Sequence, residues 1–409
     1  MSSSAQPYTF SQRAQNITSS TIREILKVTE RPEIISFAGG LPAPKGFPVD
    51  VINAAFDRVL RQAGEAALQY GPTEGYAPLR EWVAQDQKRI GAHDVTIDEV
   101  LIVSGSQQAL DMLGKLFIDP GSKVLVEAPS YLGALQSFSM FEPAYVTVPT
   151  DEGGLVPQGL TDERVQGGRF IYALPNFQNP TGLTLSLDRR KALVERCAAV
   201  SLPIVEDDPY GDLRYSGQAQ PGLLGLGRAA GATVIRLGTF SKVLAPGLRL
   251  GYIVAPRHII AKLVQIKQAT DLHTATLTQM AVYEAVKDGF LTAHLPSVCE
   301  LYKKQCGYML DAMQKQFPAE ATWTVPEGGM FLWVTLPKHI DATELLARAI
   351  KQNVAFVPGA PFFAGAGDAQ TNTMRLSFVT VSEEKIREGI AVLGGLINES
   401  LDSPQVRVA

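Results

Sequence analysis

VIRLGTFSKVLAPGLRLGYIV, Val234–Val254, decides how the chain is read. It opens and closes on short, mainly apolar runs that suit buried strands. Between them stand Thr239, Phe240, Ser241, Lys242, a Pro246-Gly247 turn and Arg249. A lysine where a strand gives way to a loop is held by a rigid element and open on one side. Two hydroxyls and an arginine around one lysine suit an aldehyde cofactor with a phosphate handle: the amine bonds the aldehyde and the others hold the phosphate. A lone lysine in a polar turn is more often a solvated side chain. The reading therefore depends on what flanks it.

Working outward, Val100 to Val254 alternates short apolar runs with helical or loop segments. The runs are LIVSG, KVLVEAP, AYVTVP, FIYALP, PIVEDD, VIRLG and LGYIVA. Several carry β-branched residues on both parities, as strands covered on both faces do. Helical patterns intervene, such as QALDMLGKLF and the segment after Ser186. These features predict an α/β fold with a mainly parallel seven-stranded sheet flanked by helices. Upstream, residues 50–63 and 76–90 read as helices. Downstream, a helical stretch runs from about 256 to 316, then EGGMFLWVTL and TMRLSFV read as strands, with helices over 342–352 and 382–398. That predicts a smaller α+β domain. The expected units are 1–47, an N-terminal helix and crossing segment; 48–290, the large domain; and 291–409, the small domain.

Residues 1–19 are polar and expected to be mobile. Thr21 and Glu24 have capping-box spacing ahead of an apolar stripe of Ile22, Ile25 and Leu26, so a helix is expected there, with Arg23 in its first turn. ISFAGGLPAPKGFP follows. Gly39-Gly40, Pro42, Pro44 and Pro48 predict an irregular crossing strip whose backbone can approach a ligand closely.

The chain has 409 residues, 45% of them hydrophobic and 19% charged, with a formal net charge of -4. That balance gives no basic excess for nucleic acid or anionic membrane. No apolar run approaches transmembrane length, and MSSSAQPYTF lacks the layout of a secretory signal. The three cysteines form neither a C-x-x-C pair nor a disulfide framework, so a cytoplasmic location is expected. Five scattered histidines give no metal motif, and no metal is expected.

The remaining motifs fall at predicted strand ends. SGSQQAL places Ser106 and Gln107 at a helix N-terminus, where free N–H groups attract phosphate; Ser106 could equally be a plain N-cap. Tyr131 follows KVLVEAP, where an aromatic can stack on a planar ring. Asn179 in PNFQNPTG can point its amide into a cleft. VEDDPYGDL closes a buried strand with Asp207 and Asp208, with Tyr210 three residues after Asp207. A buried carboxylate needs a partner, and a pyridinium N–H is a good one; a metal held by Asp207 and Asp208 is the alternative. Gly225, Gly227 and Gly231 resemble a dinucleotide fingerprint, but no strand precedes them. Alternation in MRLSF turns Arg375 away from Met374, Leu376 and Phe378, free to grip a carboxylate. Tyr70, in ALQYGPTEGYAPLR, reads alone as a packing anchor.

Taken together, STIREILK, SFAGGLPAP, QYGPTEGYAPLR, GSQQALD, EAPSYLGA, FQNPTG, VEDDPY, FSKVLAPGLR and NVAFVPGAPFF resemble the fold-type I pyridoxal-phosphate aminotransferases. Within them the chain is most similar to the branch holding the bacterial α-aminoadipate enzymes of lysine biosynthesis and the kynurenine/aminoadipate aminotransferases. The resemblance implies pyridoxal 5'-phosphate as cofactor and ping-pong transamination between an amino acid and a 2-oxo acid such as 2-oxoglutarate. Lys242 would bond the cofactor and move the proton, Asp207 would pair with the pyridine nitrogen, and Tyr210 and Asn179 would hold the 3′-oxygen. Tyr131 would stack on the ring, and Ser106, Gln107, Thr239, Ser241 and Arg249 would hold the phosphate. Thr239 departs from the family's serine but keeps the hydroxyl. Tyr70 would come from the neighbouring subunit of a homodimer. Arg375, with Gly40 and Asn179, would bind the substrate α-carboxylate, and Arg23 its distal carboxylate. A broad aromatic or kynurenine aminotransferase is the alternative. A cofactor-binding transcription regulator would carry a DNA-binding module, for which about forty residues ahead of the large domain are too few.

Overall fold

The computed structural model describes residues 8–17, 25, 31–365, 367 and 369–402. Seven strands form the central sheet: β1 (Val100–Val103), β2 (Lys123–Glu127), β3 (Ala144–Val148), β4 (Gly168–Ala173), β5 (Ile204–Asp207), β6 (Val234–Thr239) and β7 (Gly251–Val254). All seven expected runs are present. Their order across the sheet is β1-β7-β6-β5-β4-β2-β3. Every pairing is parallel except those of β7, which runs antiparallel to both β1 and β6.

Helices cover both faces, so the strands are apolar on both parities. Tyr172, Val205, Ile235 and Leu237 face one core; Ile171, Ala173, Ile204 and Val234 face the other. Parallel strands all end at one edge, and the antiparallel β7 begins there. Tyr131, Asn179 and Lys242 follow β2, β4 and β6, Asp207 ends β5, and Arg249 precedes β7. One rim of the sheet therefore receives motifs scattered over more than a hundred positions.

The helix expected over 50–63 extends over Val49–Leu68, bent where Ala63 leaves helical geometry. Ala77–Asp86 is followed by a tighter turn at Gln87–Ile90. GLGRAAG is helical, Leu223–Ala230 ending on a left-handed Gly231 at φ 73°, so it is no phosphate loop. The downstream helical stretch resolves into Arg257–Thr270, Thr276–Val286 and Phe290–Gln316. A smaller antiparallel sheet aligns Thr322–Trp323, Phe331–Thr335, Thr373–Ser377 and Val357–Pro358 in that order.

Gln12–Asn16 is a short helix, capped where the Ser11 hydroxyl accepts from the Ala14 N–H at 3.2 Å. One expectation about the N-terminal region needs correction. The crossing strip is not wholly irregular. Ile35–Ser36 pairs in parallel with Val354–Ala355, and Pro44–Gly46 makes one helical turn. Arg23, with Thr21, Ile22, Glu24 and Leu26, lies outside the described residues; Ile25 is buried. No helix among the described residues is long and apolar enough to cross a membrane.

Candidate active site

VEDD shows how alternation builds the site. Val205 and Asp207 share one face of β5; Glu206 and Asp208 project to the other. On that other face Glu206 is in register with Arg236 of β6. Arg236 donates to Asp208 Oδ2 at 2.8 Å, and its Nη1 lies 2.9 Å from Glu206 Oε1. Glu206 also accepts the N–H groups of Leu223 and Leu224, at 2.9 and 3.0 Å. Both flanking acids are thus paired away from the rim. Asp207 and Asp208 diverge to opposite faces and cannot form one metal-ligand pair.

Asp207 faces the rim with a single partner. The Tyr172 hydroxyl donates to its Oδ2 at 2.6 Å. Its Oδ1 is buried with no hydrogen-bond partner. Burial raises the carboxyl from 3.8 to about 7, and the Tyr172 hydrogen bond opposes that rise. A buried carboxylate oxygen lacking a donor fits a ring N–H, the group that the cofactor would present.

Lys242 Nζ donates to the Gly40 carbonyl at 2.8 Å. Its amine is held down to about 8 by burial first, then by the positive charges of Arg375 and Arg249. Gly40 therefore meets the site through its carbonyl, which the lysine uses. Only the neutral amine can attack an aldehyde. The rate at which apoprotein takes up pyridoxal phosphate covalently is expected to climb with pH and level off above about 8. Growth of the cofactor's visible absorbance after mixing measures that rate; a rate flat between about pH 6 and pH 9 would overturn it.

Asn179 bridges the two halves of the site. Its Nδ2 donates to the Tyr210 hydroxyl at 3.2 Å, and its Oδ1 accepts from Arg375 Nη1 at 2.9 Å. Arg375 Nη2 donates to the Ala38 carbonyl at 2.7 Å, tying in the crossing strip. The guanidinium lies over the rings of Phe331 and Phe362, 4.3 and 5.3 Å from their centroids. It is buried, its Nε has no partner, and among the described residues no carboxylate pairs with it. A buried cation held only by neutral groups is a receptor for an anion from outside. Tyr131 is half-buried, and burial raises its hydroxyl; the charges of Asp207, Arg375 and Arg249 all act on it.

The phosphate side is built from backbone. Gly105, at φ 84°, is the N-cap of Ser106–Phe117. Ser106 is thus the first helical residue and not the cap, leaving N–H groups of the first turn free to face an anion. A Cβ on Gly105 would stand 2.8 Å from Arg249 Nη2, so only glycine lets the arginine reach the helix start. Arg249 itself is left-handed, at φ 50°. The Gln107 amide donates to the Gly133 carbonyl at 3.3 Å. Ser241 N–H donates to Thr239 Oγ1 at 3.1 Å, which folds the turn before the lysine. Tyr70 stands apart, 78% exposed, its ring edge-on to His273 at 5.7 Å.

Sequence reasoning missed Tyr172, Arg236, Phe331, Phe362 and the Ala38 carbonyl. Two carried a signal. A tyrosine inside FIYALP and an arginine inside VIRLG are polar groups in buried strands, and each needs a partner.

The fold and the rim geometry together define a fold-type I pyridoxal-phosphate enzyme. The family model for aminotransferase class I and II matches residues 35–393. The chain is 49% identical to a 2-aminoadipate transaminase of Thermus thermophilus, over 94% of this chain and 95% of that protein. It is 45% identical to aromatic-amino-acid aminotransferase 1 of Thermococcus litoralis, over 96% of this chain and 94% of that protein. A crystal structure of the α-aminoadipate aminotransferase of Thermus thermophilus, complexed with N-(5'-phosphopyridoxyl)-L-leucine, matches with TM-score 0.88 and 47% identity, covering 96% of this chain and 98% of that one. The chain belongs to the class I and II aminotransferase family, and its cofactor is pyridoxal 5'-phosphate.

Proposed function

We propose that this aminotransferase moves the amino group of 2-aminoadipate or glutamate, and with a broader reach leucine or aromatic amino acids, to a 2-oxo acid such as 2-oxoglutarate. The single observation that carries the amino-acid reading is Arg375, a buried guanidinium near Lys242 with which no carboxylate among the described residues pairs. The aminoadipate preference draws on the 49% relative and on Arg23, whose role follows from family resemblance.

When bound, pyridoxal phosphate supplies an aldehyde that accepts the amino group and a conjugated ring that stores the electrons released at Cα. Asp207 Oδ1 would accept the ring N–H. Tyr210 and Asn179 would hydrogen-bond the ring oxygen, and Tyr131 would stack on the ring. The first-turn N–H groups of Ser106 and Gln107 would hold the phosphate together with the Thr239 and Ser241 hydroxyls and Arg249. Arg375 grips the substrate α-carboxylate and so presents its Cα to Lys242. Neutral Nζ of Lys242 then takes the Cα proton and returns one during the second half-reaction. Gripping the carboxylate through Arg375 disfavours its loss, so transamination is preferred over decarboxylation.

Tyr70 of the partner subunit completes the phosphate site and reaches toward substrate. Its exposure in this chain supports that reading, and with it a homodimer. The chain divides into 1–47, 48–290 and 291–409, with Ile35–Ser36 of the crossing strip paired to Val354–Ala355.

The second reading, a broad aromatic or kynurenine aminotransferase, is favoured by the Thermococcus relative at 45% identity. Comparing kcat/KM for 2-aminoadipate and phenylalanine, each with 2-oxoglutarate as acceptor, separates the two. The aminoadipate reading expects the acidic substrate to win by at least about tenfold. It also expects Arg23→Ala to raise KM for aminoadipate far more than for leucine. Equal effects on both substrates would leave the aromatic reading standing.

A further inference from the structure

We propose that Tyr172 is a positioning residue that decides which oxygen, and which charge state, Asp207 offers to the cofactor's ring nitrogen. This rests on the reading that Asp207 faces that nitrogen. Tyr172 lies on β4 in register with Val205 of β5. Neighbouring strands in register share a face, so Tyr172, Val205 and Asp207 point the same way. The tyrosine ring is fully buried and packs edge-on against Phe138, with centroids 5.8 Å apart. It has little freedom to swing. Its one proton goes to Asp207 Oδ2 at 2.6 Å.

A carboxylate held by one oxygen cannot rotate without breaking that bond. The second oxygen, Oδ1, is left buried and unpartnered, fixed in direction before any ligand arrives. Preorganisation of this kind strengthens binding because no ordering remains to be done. The hydrogen bond has an electrostatic role as well, since a phenol donating to a carboxylate favours the anion. Around Asp207 stand Tyr172 from β4, Arg236 from β6, its neighbour Asp208, and the hydroxyls of Tyr131 and Tyr210. Arg236 favours the anion, but Glu206 and Asp208 already pair with it. Among the described residues Tyr172 is the one direct donor to the Asp207 carboxylate.

Tyr172→Phe removes the proton donor and keeps the ring. Pyridoxal phosphate titrated into apoprotein, followed by fluorescence, should bind about tenfold more weakly to this variant. The same substitution on an Asp207→Asn background should change the affinity by less than about twofold, because the partner that it acts through has gone. Equal loss on both backgrounds would mean a packing role and overturn the proposal, as would no loss on the wild-type background. If Asp207→Asn alone leaves the affinity unchanged, the reading of Asp207 fails and the proposal falls with it.

Apoprotein stability gives a second readout that needs no cofactor. The Asp207 carboxyl is raised in the folded chain from 3.8 to about 7. The native state holds that proton more tightly, so stability present at low pH is lost as pH rises through about 7. Without the Tyr172 donor the carboxyl should keep its proton longer, and the loss should extend to higher pH. Unfolding midpoints of apo wild type and Tyr172→Phe across pH show it; coincident profiles would overturn the proposal.

Discussion

Lys242→Ala is expected to lower turnover by more than about 10^4-fold, since the proposed mechanism uses one amine as both the attachment point and the proton carrier. Among the described residues, the neighbouring groups are poorly suited to stand in. Burial raises the hydroxyls of Tyr131 and Tyr210, leaving them poor bases at neutral pH. Asp207 Oδ2 already accepts from Tyr172, and the proposed mechanism gives its free Oδ1 to the ring nitrogen. Lys267, fully buried, is bound by Asp271 and Gln108 at 2.9 Å each. Borohydride reduction followed by peptide mapping should find the cofactor on the Lys242 peptide in wild type. The variant should carry no such label. A label on another lysine, or turnover within about a hundredfold of wild type, would reject Lys242 as the reactive amine.

Arg375→Leu should cost about 10^3-fold in kcat/KM for α-amino acids, mostly through KM. A buried guanidinium–carboxylate pair is worth several powers of ten when one partner is removed. Here the fork is already oriented by Asn179 and the Ala38 carbonyl and sandwiched by Phe331 and Phe362. Arg375→Lys should recover little, because one ammonium cannot keep those contacts and also meet a carboxylate with two parallel bonds. Steady-state kinetics with glutamate and leucine test both variants. The positive charge of Arg375 also helps hold the Lys242 amine near 8, so Arg375→Leu should move the pH profile of cofactor uptake upward. A kcat/KM within about threefold of wild type would show that the carboxylate is bound elsewhere.

Much of the site was legible because strand ends announce themselves. FIYALP, PIVEDD and VIRLG are short apolar runs with chemistry-bearing residues just past them, and all three became neighbouring strands. Lys242, Asp207, Tyr210 and Asn179 could be picked from such placements, and Arg375 from the alternation within MRLSF. The partners of Asp207 and Asp208 could not. Tyr172 and Arg236 sit inside strands, and their value depends on which strand lies beside β5. Ser106 was ambiguous for a similar reason. Whether it caps the helix or begins it depends on the φ of Gly105, which the residue type permits without requiring. The Ala38 carbonyl had no side chain to announce it.

Local composition by itself determined the alternation of strands and helices, the rim residues, and the lysine that the chemistry requires. Those features follow from hydrophobic periodicity and residue type, which act over a few positions. Only the tertiary structure decided that Asp207 and Asp208 part company, one toward Tyr172 and the other toward Arg236. It alone left Asp207 Oδ1 and Arg375 Nε at the site without hydrogen-bond partners. Register between strands sets those distances. Register emerges from packing the whole sheet, and no stretch of chain carries it alone.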